Sequence, residues 1–195
     1  MNTQVTALDE VGTHLLEAAA HLLASEGPAA LTVRRIASDA GMSTMNVYSR
    51  FGGKQGVVEH LFLRGFELLA AAMATVPLTD DPLADLSASG MAYRRFALEH
   101  TTLYAVMFDR VVPDFVPSDS ASATGMATLQ ELANRLQRAM DAGQLRPRHS
   151  LQTAAIVWST CHGVVSLERK ASTMPIDWET VYREACENLL RGLAA

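Results

Sequence analysis

Cysteine, charge and aromatic residues are all scarce in this chain, and each scarcity narrows what it can be. Two cysteines in 195 residues, Cys161 and Cys186, cannot supply a disulfide framework, so a reduced, cytoplasmic setting is expected. There is no zinc-ligand spacing, no phosphate-binding glycine loop and no nucleophile motif. An enzyme would have to use Cys161 or His162. Neighbours on a helix point about 100° apart, so these two cannot act on each other as nucleophile and base. Neither catalysis nor a cofactor is expected. Glu10, His14, Glu17 and His21 share one face of a first helix, but solvated polar side chains explain them better than a metal does. The longest stretch free of Asp, Glu, Lys and Arg, His149–Leu167, nearly reaches membrane-spanning length. Gln152, Thr153, Ser159, Thr160, His162 and Ser166 make it too polar for lipid. Residues 1–12 carry no leader pattern, and neither repeats nor strand-like alternation appear. Only 19% of residues are charged against 49% hydrophobic, which points to apolar surface buried in an oligomer.

What is present is helix, and the most telling stretch is Thr32–Lys54. Ala37, Gly41 and Val47 have helix-turn-helix spacing. A small residue lets the second helix cross the first closely, a glycine takes the positive φ of a sharp turn, and an apolar anchor docks the second helix. Thr32 and Ser43 are the expected N-caps. Arg34, Arg35, Arg50 and Lys54 against Asp39 give this segment a net +3, while the whole chain carries −5. A cationic head on an acidic body suits a selective binder of double-stranded DNA rather than one that coats any duplex.

The run GMSTMNVYSRFGGKQGVVEHLF closely resembles the recognition segment of TetR-family transcriptional regulators. Gly41, Ser43, Val47, Tyr48, Phe51 and Lys54 fill that pattern's places, and the similarity covers roughly residues 9–75. Arg50 stands where the family commonly has His. Met45 and Asn46 stand where it often has Gly or Pro followed by Thr or Ala. The resemblance implies an all-α fold of about nine helices, with an N-terminal three-helix DNA-binding domain (1–55) and a larger regulatory and dimerisation domain (56–195). Lys54, at the start of the next helix, is placed for a phosphate attracted by free N–H groups and the helix dipole. Tyr48, Thr32, Arg34 or Arg35, and Arg50 are further backbone contacts, which position without encoding sequence. Thr44, Met45, Asn46 and Ser49 are the candidates for base edges: Asn46 for adenine, Met45 or Thr44 for a thymine methyl.

Beyond Lys54 the periodicity predicts a long fourth helix ending before Pro77, then helix over 83–108 bent near Thr101-Thr102, 123–142, 149–167 and 177–193. The Pro- and Ser-rich stretch 111–125 reads as a loop. Ala155, Ser159 and Gly163 form a small-residue strip. Val181, Ala185 and Leu189 lie on the last helix. Two such helices from each of two chains make a four-helix homodimer interface, which sets a pair of recognition helices about one DNA turn apart for a palindromic operator.

Trp158, His162 and Gly163 also resemble a C-terminal regulatory domain of one TetR subgroup named for its Trp-His-Gly pattern. Such a domain implies an effector pocket. Trp158 and His162 share a face, and Met91, Phe96, Tyr104, Met107, Phe108 and Met126 are candidate apolar walls, with ordinary core packing the simpler reading. The expected function is a homodimeric repressor released from DNA by a small apolar or amphipathic effector. Activation, and a ligand-independent DNA- or partner-binding protein, stand as alternatives.

Overall fold

The computed structural model describes residues 8–171 and 173–195; most of the N-terminal stretch read for a leader lies outside them. Among the described residues nine α-helices follow one another and there is no strand. They are α1 (Glu10–Ser25), α2 (Val33–Asp39), α3 (Thr44–Phe51), α4 (Lys54–Ala74), α5 (Pro82–Glu99), α6 (Thr101–Phe108), α7 (Asp119–Asp141), α8 (Ser150–Lys170) and α9 (Trp178–Leu193). The chain divides into two compact units. The first holds the described residues up to Phe66 together with Thr102–Thr124, and the second holds Glu67–Thr101 with Gly125–Ala195.

In the first unit, the Asp9 carboxylate caps α1 by accepting the Gly12 N–H at 2.7 Å. Leu15, Ala19 and Leu22 are wholly buried along the inner face of α1, where Leu31 and Ile36 join them. Glu10, His14, Glu17 and His21 are exposed, and His21 sits 3.3 Å from Asp39. The Thr32 hydroxyl caps α2 by accepting the Arg35 N–H. Gly41 takes φ +65° in the turn, as its role requires. The two ends of the α3–α4 corner then come very close. A Cβ on Gly56 would lie 1.8 Å from the Phe51 carbonyl oxygen, so only glycine fits there.

Where a single bent helix is predicted over 83–108, two helices form. The chain breaks at His100 (φ −115°, ψ 47°), whose N–H still closes α5 on the Phe96 carbonyl. The β-branched pair Thr101-Thr102 restarts the chain as α6, whose aromatics stack with those of α4. Ring centroids are 4.9 Å apart for Tyr104–Phe108 and 5.7 Å for Phe66–Phe108. The stretch read as a loop is shorter and better anchored than its composition suggests. Val112 and Phe115 are buried, Phe115 lies 5.8 Å from Phe62, and Gln55 donates to the Asp114 carbonyl. The Ser118 hydroxyl accepts from the Ala121 N–H and starts α7 at Asp119, earlier than the predicted 123.

The second unit packs Leu86 of α5, Ala133, Leu136, Ala139 and Met140 of α7, Ala154 of α8, and Leu190 and Leu193 of α9 into one core with Leu145. Two polar ties cross its helices. Arg94 grips Glu168 through two hydrogen bonds, at 2.6 and 3.0 Å, and also reaches Glu179. Tyr182, wholly buried, donates its hydroxyl to the Gly90 carbonyl at 2.7 Å. Among the described residues, no helix is long and apolar enough to cross a membrane.

The Gly56 contact yields a stability prediction. Gly56→Ala should destabilise the fold by about 2–3 kcal/mol, because an overpacked methyl meets backbone that cannot turn aside. Denaturant unfolding checks it, and an unchanged midpoint would contradict the contact.

Candidate nucleic-acid interface

The α2–turn–α3 segment buries one side and offers the other. Ala37 and Val47 are sealed in the first unit, and Phe51 is nearly so. The exposed side carries Thr32, Arg34, Arg35, Ser43, Thr44, Met45, Tyr48 and Ser49. Met45 is 70% exposed, an unusual position for so apolar a side chain, and Tyr48 is 55% exposed. The Tyr48 ring lies over the loop after α3: a Cβ on Gly53 would sit 3.7 Å from it. Gly53 itself has φ +134°, so no side chain intrudes between ring and backbone.

The four cations of the segment are not equivalent. Arg35 is paired with Glu26, which lies outside the motif. Arg50 forms a two-pronged pair with Asp9, Nε to Oδ1 at 2.8 Å and Nη2 to Oδ2 at 2.6 Å. That pair holds the Asp9 carboxyl down at about 2, chiefly through the hydrogen bond from Arg50 and then through the Gly12 N–H. A depressed carboxyl contributes stability that is complete above its unfolded value and is lost as pH falls through the folded one. The α1–α3 tie therefore survives mild acid and fails only between about pH 4 and pH 2. Arg34 and Lys54 have no ionic partner among the described residues; Arg34 is exposed and Lys54 half-buried at the start of α4.

Asn46 is held from both sides. Its Oδ1 accepts from Arg50 Nη1 at 3.0 Å and its Nδ2 donates to the Ser43 hydroxyl at 3.3 Å. The Ser43 side chain thus serves Asn46 and, contrary to the expectation from sequence, does not cap the backbone of α3. Ser49 donates to the Asn46 carbonyl. Asp9 and Glu26 are the residues that sequence reading misses. Nothing in the spacing links Asp9 to a partner 41 residues on.

The residues read as effector walls fall in different units. Tyr104, Met107 and half-buried Phe108 belong to the first, and Met91, Phe96, Met126, Trp158 and His162 to the second. Phe96 is 2% exposed and Met126 56%. Trp158 and His162 are brought together by a residue that no sequence signal singles out. The Tyr93 hydroxyl accepts from Trp158 Nε1 at 3.2 Å and lies 3.4 Å from His162 Nδ1, and His162 Nε2 meets the Ser166 hydroxyl at 3.3 Å. On α8 and α9, Ser159, Gly163 and Val181 are exposed, while Ala155, Ala185 and Leu189 are half-buried. A Cβ on Gly163 would meet nothing within 4 Å. No cluster of three or more His, Cys, Asp or Glu side chains suited to a metal occurs among the described residues.

This geometry defines a class: an all-α protein whose helix-turn-helix presents polar and cationic groups to a DNA groove. Residues 15–61 match the family described as bacterial regulatory proteins of the tetR family, and residues 86–189 match the tetracycline repressor-like C-terminal domain. The chain belongs to the TetR family of DNA-binding transcriptional regulators. Among solved structures, a protein of unknown function from Rhodococcus sp. RHA1 is 25% identical, with 98% of this chain and 100% of that one covered and a TM-score of 0.84. The TetR-family regulator PfmR from Thermus thermophilus is 24% identical over 93% of this chain and 99% of that one, with a TM-score of 0.74. The fatty acid degradation regulator FadR from Bacillus halodurans shares the fold at 16% identity, covering 95% and 97%, with a TM-score of 0.80. No curated protein matches the chain.

Asp9→Asn keeps an N-cap but removes the charge that neutralises Arg50. Duplex affinity should rise for all sequences, and the salt slope should steepen by about 1 as Arg50 becomes available to phosphate. A binding titration across ionic strength reads both; an unchanged slope would show that Arg50 stays out of reach of the backbone.

Proposed function

We propose that the chain acts as a homodimeric repressor that binds a near-palindromic operator and leaves it when a small apolar or amphipathic molecule binds. The observation that carries this reading is the outward turn of α3. Thr44, Met45 and Ser49 stand exposed on a helix whose opposite side is sealed by Val47. In this reading residues 1–55 are the DNA-reading head and 56–195 the regulatory and dimerisation region. Lys54, Arg34 and the Tyr48 hydroxyl hold phosphates. Asn46, preset by Ser43 and Arg50, reads adenine, and Met45 or Thr44 meets a thymine methyl.

Support for dimerisation comes from α8 and α9. Ile156 (49%), Leu167 (57%) and Val181 (38%) leave apolar surface open beside the small strip of Ser159 and Gly163. An isologous pairing of that face would cover it and fix the spacing of two α3 helices. Apolar character in the effector fits the aromatic cluster of Tyr93, Trp158 and His162, and in this reading the chain falls in the Trp-His-Gly subgroup. Several structural neighbours bear names tied to fatty acids or a ketosteroid, which agrees in ligand chemistry. Release requires the effector to favour the DNA-incompetent arrangement, since equal affinity for both would shift nothing. In this reading the transmitting element is α4, which starts at Lys54.

Selection of bound sites from a random duplex pool, repeated with a panel of lipids and hydrophobic metabolites, tests the reading directly. Enrichment of an inverted repeat that a ligand abolishes supports it, whereas a monomer indifferent to every duplex at low salt defeats it. Within that assay, Lys54→Ala should weaken all duplexes alike and lower the salt slope by about 1. Asn46→Ala should instead relax preference at one or two base pairs per half-site, a discrimination of about 1–3 kcal/mol. Gly163→Arg, which has room in the isolated chain, should give a folded monomer by sedimentation with operator affinity reduced at least tenfold.

A further inference from the structure

Neither DNA reading nor dimerisation gives Cys161 and Cys186 any role, yet the fold brings them together. Cys161 lies on α8 and Cys186 on α9, both are free thiols, and their sulfurs stand 3.6 Å apart. A disulfide bond measures about 2.05 Å, so the pair is about 1.6 Å short of bonding, a gap that small side-chain rotations on two facing helices can close. The setting is packed but not sealed. Cys161 is buried while Cys186 is half-buried, so the solvent path reaches the pair on the Cys186 side. Gly90 of α5 lies near them: an added Cβ there would stand 3.7 Å from the Tyr182 hydroxyl and 3.9 Å from Cys186 Sγ.

We propose that Cys161 and Cys186 are a two-electron oxidation site, converted by hydrogen peroxide into an intramolecular disulfide that staples α8 to α9. Cys161 is the attacking sulfur. The hydrogen bond from Cys186 holds its thiol below the ordinary range against the effect of burial, while the same contact pushes the Cys186 thiol up. The Cys161 thiolate attacks one peroxide oxygen; an S–O bond forms, the O–O bond breaks, and the departing hydroxide takes a proton to become water. Cys186, losing its proton, then attacks the Cys161 sulfur; the S–S bond forms, the S–O bond breaks, and a second hydroxide leaves and is protonated to water. Two thiols and one peroxide become one disulfide and two waters. The half-buried partner beside the nucleophile acts as the resolving thiol and protects Cys161 from further oxidation.

The full-length, native protein should be exposed to hydrogen peroxide, quenched, and analysed by intact mass, thiol titration in denaturant and peptide mapping. The expected product is lighter by about 2 Da, has no titratable thiol, yields a linked peptide pair containing Cys161 and Cys186, and reverts with dithiothreitol. Two titratable thiols after that exposure, or a disulfide joining two chains, would overturn the proposal. In Cys186→Ser the intermediate has no resolving thiol, so a cyclic 1,3-dione should trap Cys161 as its sulfenic acid adduct. Absence of that adduct in the folded variant would overturn the assignment of the nucleophile.

Discussion

The DNA-reading face depends on how α3 is seated. Val47 is wholly buried and Phe51 7% exposed, so the helix is held by two apolar side chains four residues apart on one face. A slip of one residue would rotate that face by about 100°, withdraw Met45 and bury charge. Polar ties reinforce the seat. Arg50 leaves the far end of α3 to grip Asp9 at the start of α1, and the Phe51 carbonyl is lodged against Gly56 at the start of α4. The exposed residues of the first turn are therefore displayed by a helix fixed at its middle and its end. That rigidity is what sequence readout needs, because a base contact helps discrimination only when its donor is already in place.

The same ties revise the electrostatic picture. Counting charges along the motif gives a cationic head, but Glu26 and Asp9 reach in from outside and occupy Arg35 and Arg50. The cations of the motif without an ionic partner among the described residues are Arg34 and Lys54. With few free charges, the sequence-independent part of binding is modest and only shallowly salt-dependent, so base and shape readout must supply more of the affinity. The net charge of −5 over the whole chain works in the same direction.

Much of the fold was legible because its signals are local. Thr32 and Gly41 act through their own neighbours, and helical periodicity located α1 to α4, α8 and α9 within a few residues. The failures share the opposite property. Ser43 looks like a cap, but Asn46 claims its hydroxyl. Pro113, Pro117 and a run of small polar residues look like slack, while Val112 and Phe115, three apart, anchor the stretch through contacts the pattern cannot show. The pairing of Arg50 with Asp9 and the Tyr93 hydroxyl between Trp158 and His162 join distant elements, and no spacing rule predicts such side-chain meetings. In the candidate site, then, residue types were readable and their partners were not.

Those distant partners also decide how α4 can behave. The Met73 carbonyl near its end and the Val76 carbonyl just beyond it accept from the buried Arg135 of α7, whose other hydrogen bond goes to Ser89. One turn further along α7, Arg138 holds Asp85 at 2.9 Å and reaches the Thr79 carbonyl of the α4–α5 connection. Charged hydrogen bonds of this kind are directional, unlike apolar packing, which slides. A hydrogen bond to a charged group contributes about 1.5–3 kcal/mol, comparable to the coupling energy of most ligand-driven transitions. A shift in α7 would therefore carry the end of α4 with it rather than part from it. In the proposed release, an effector acting through α4 would have to carry the α7 segment that bears these two arginines with it.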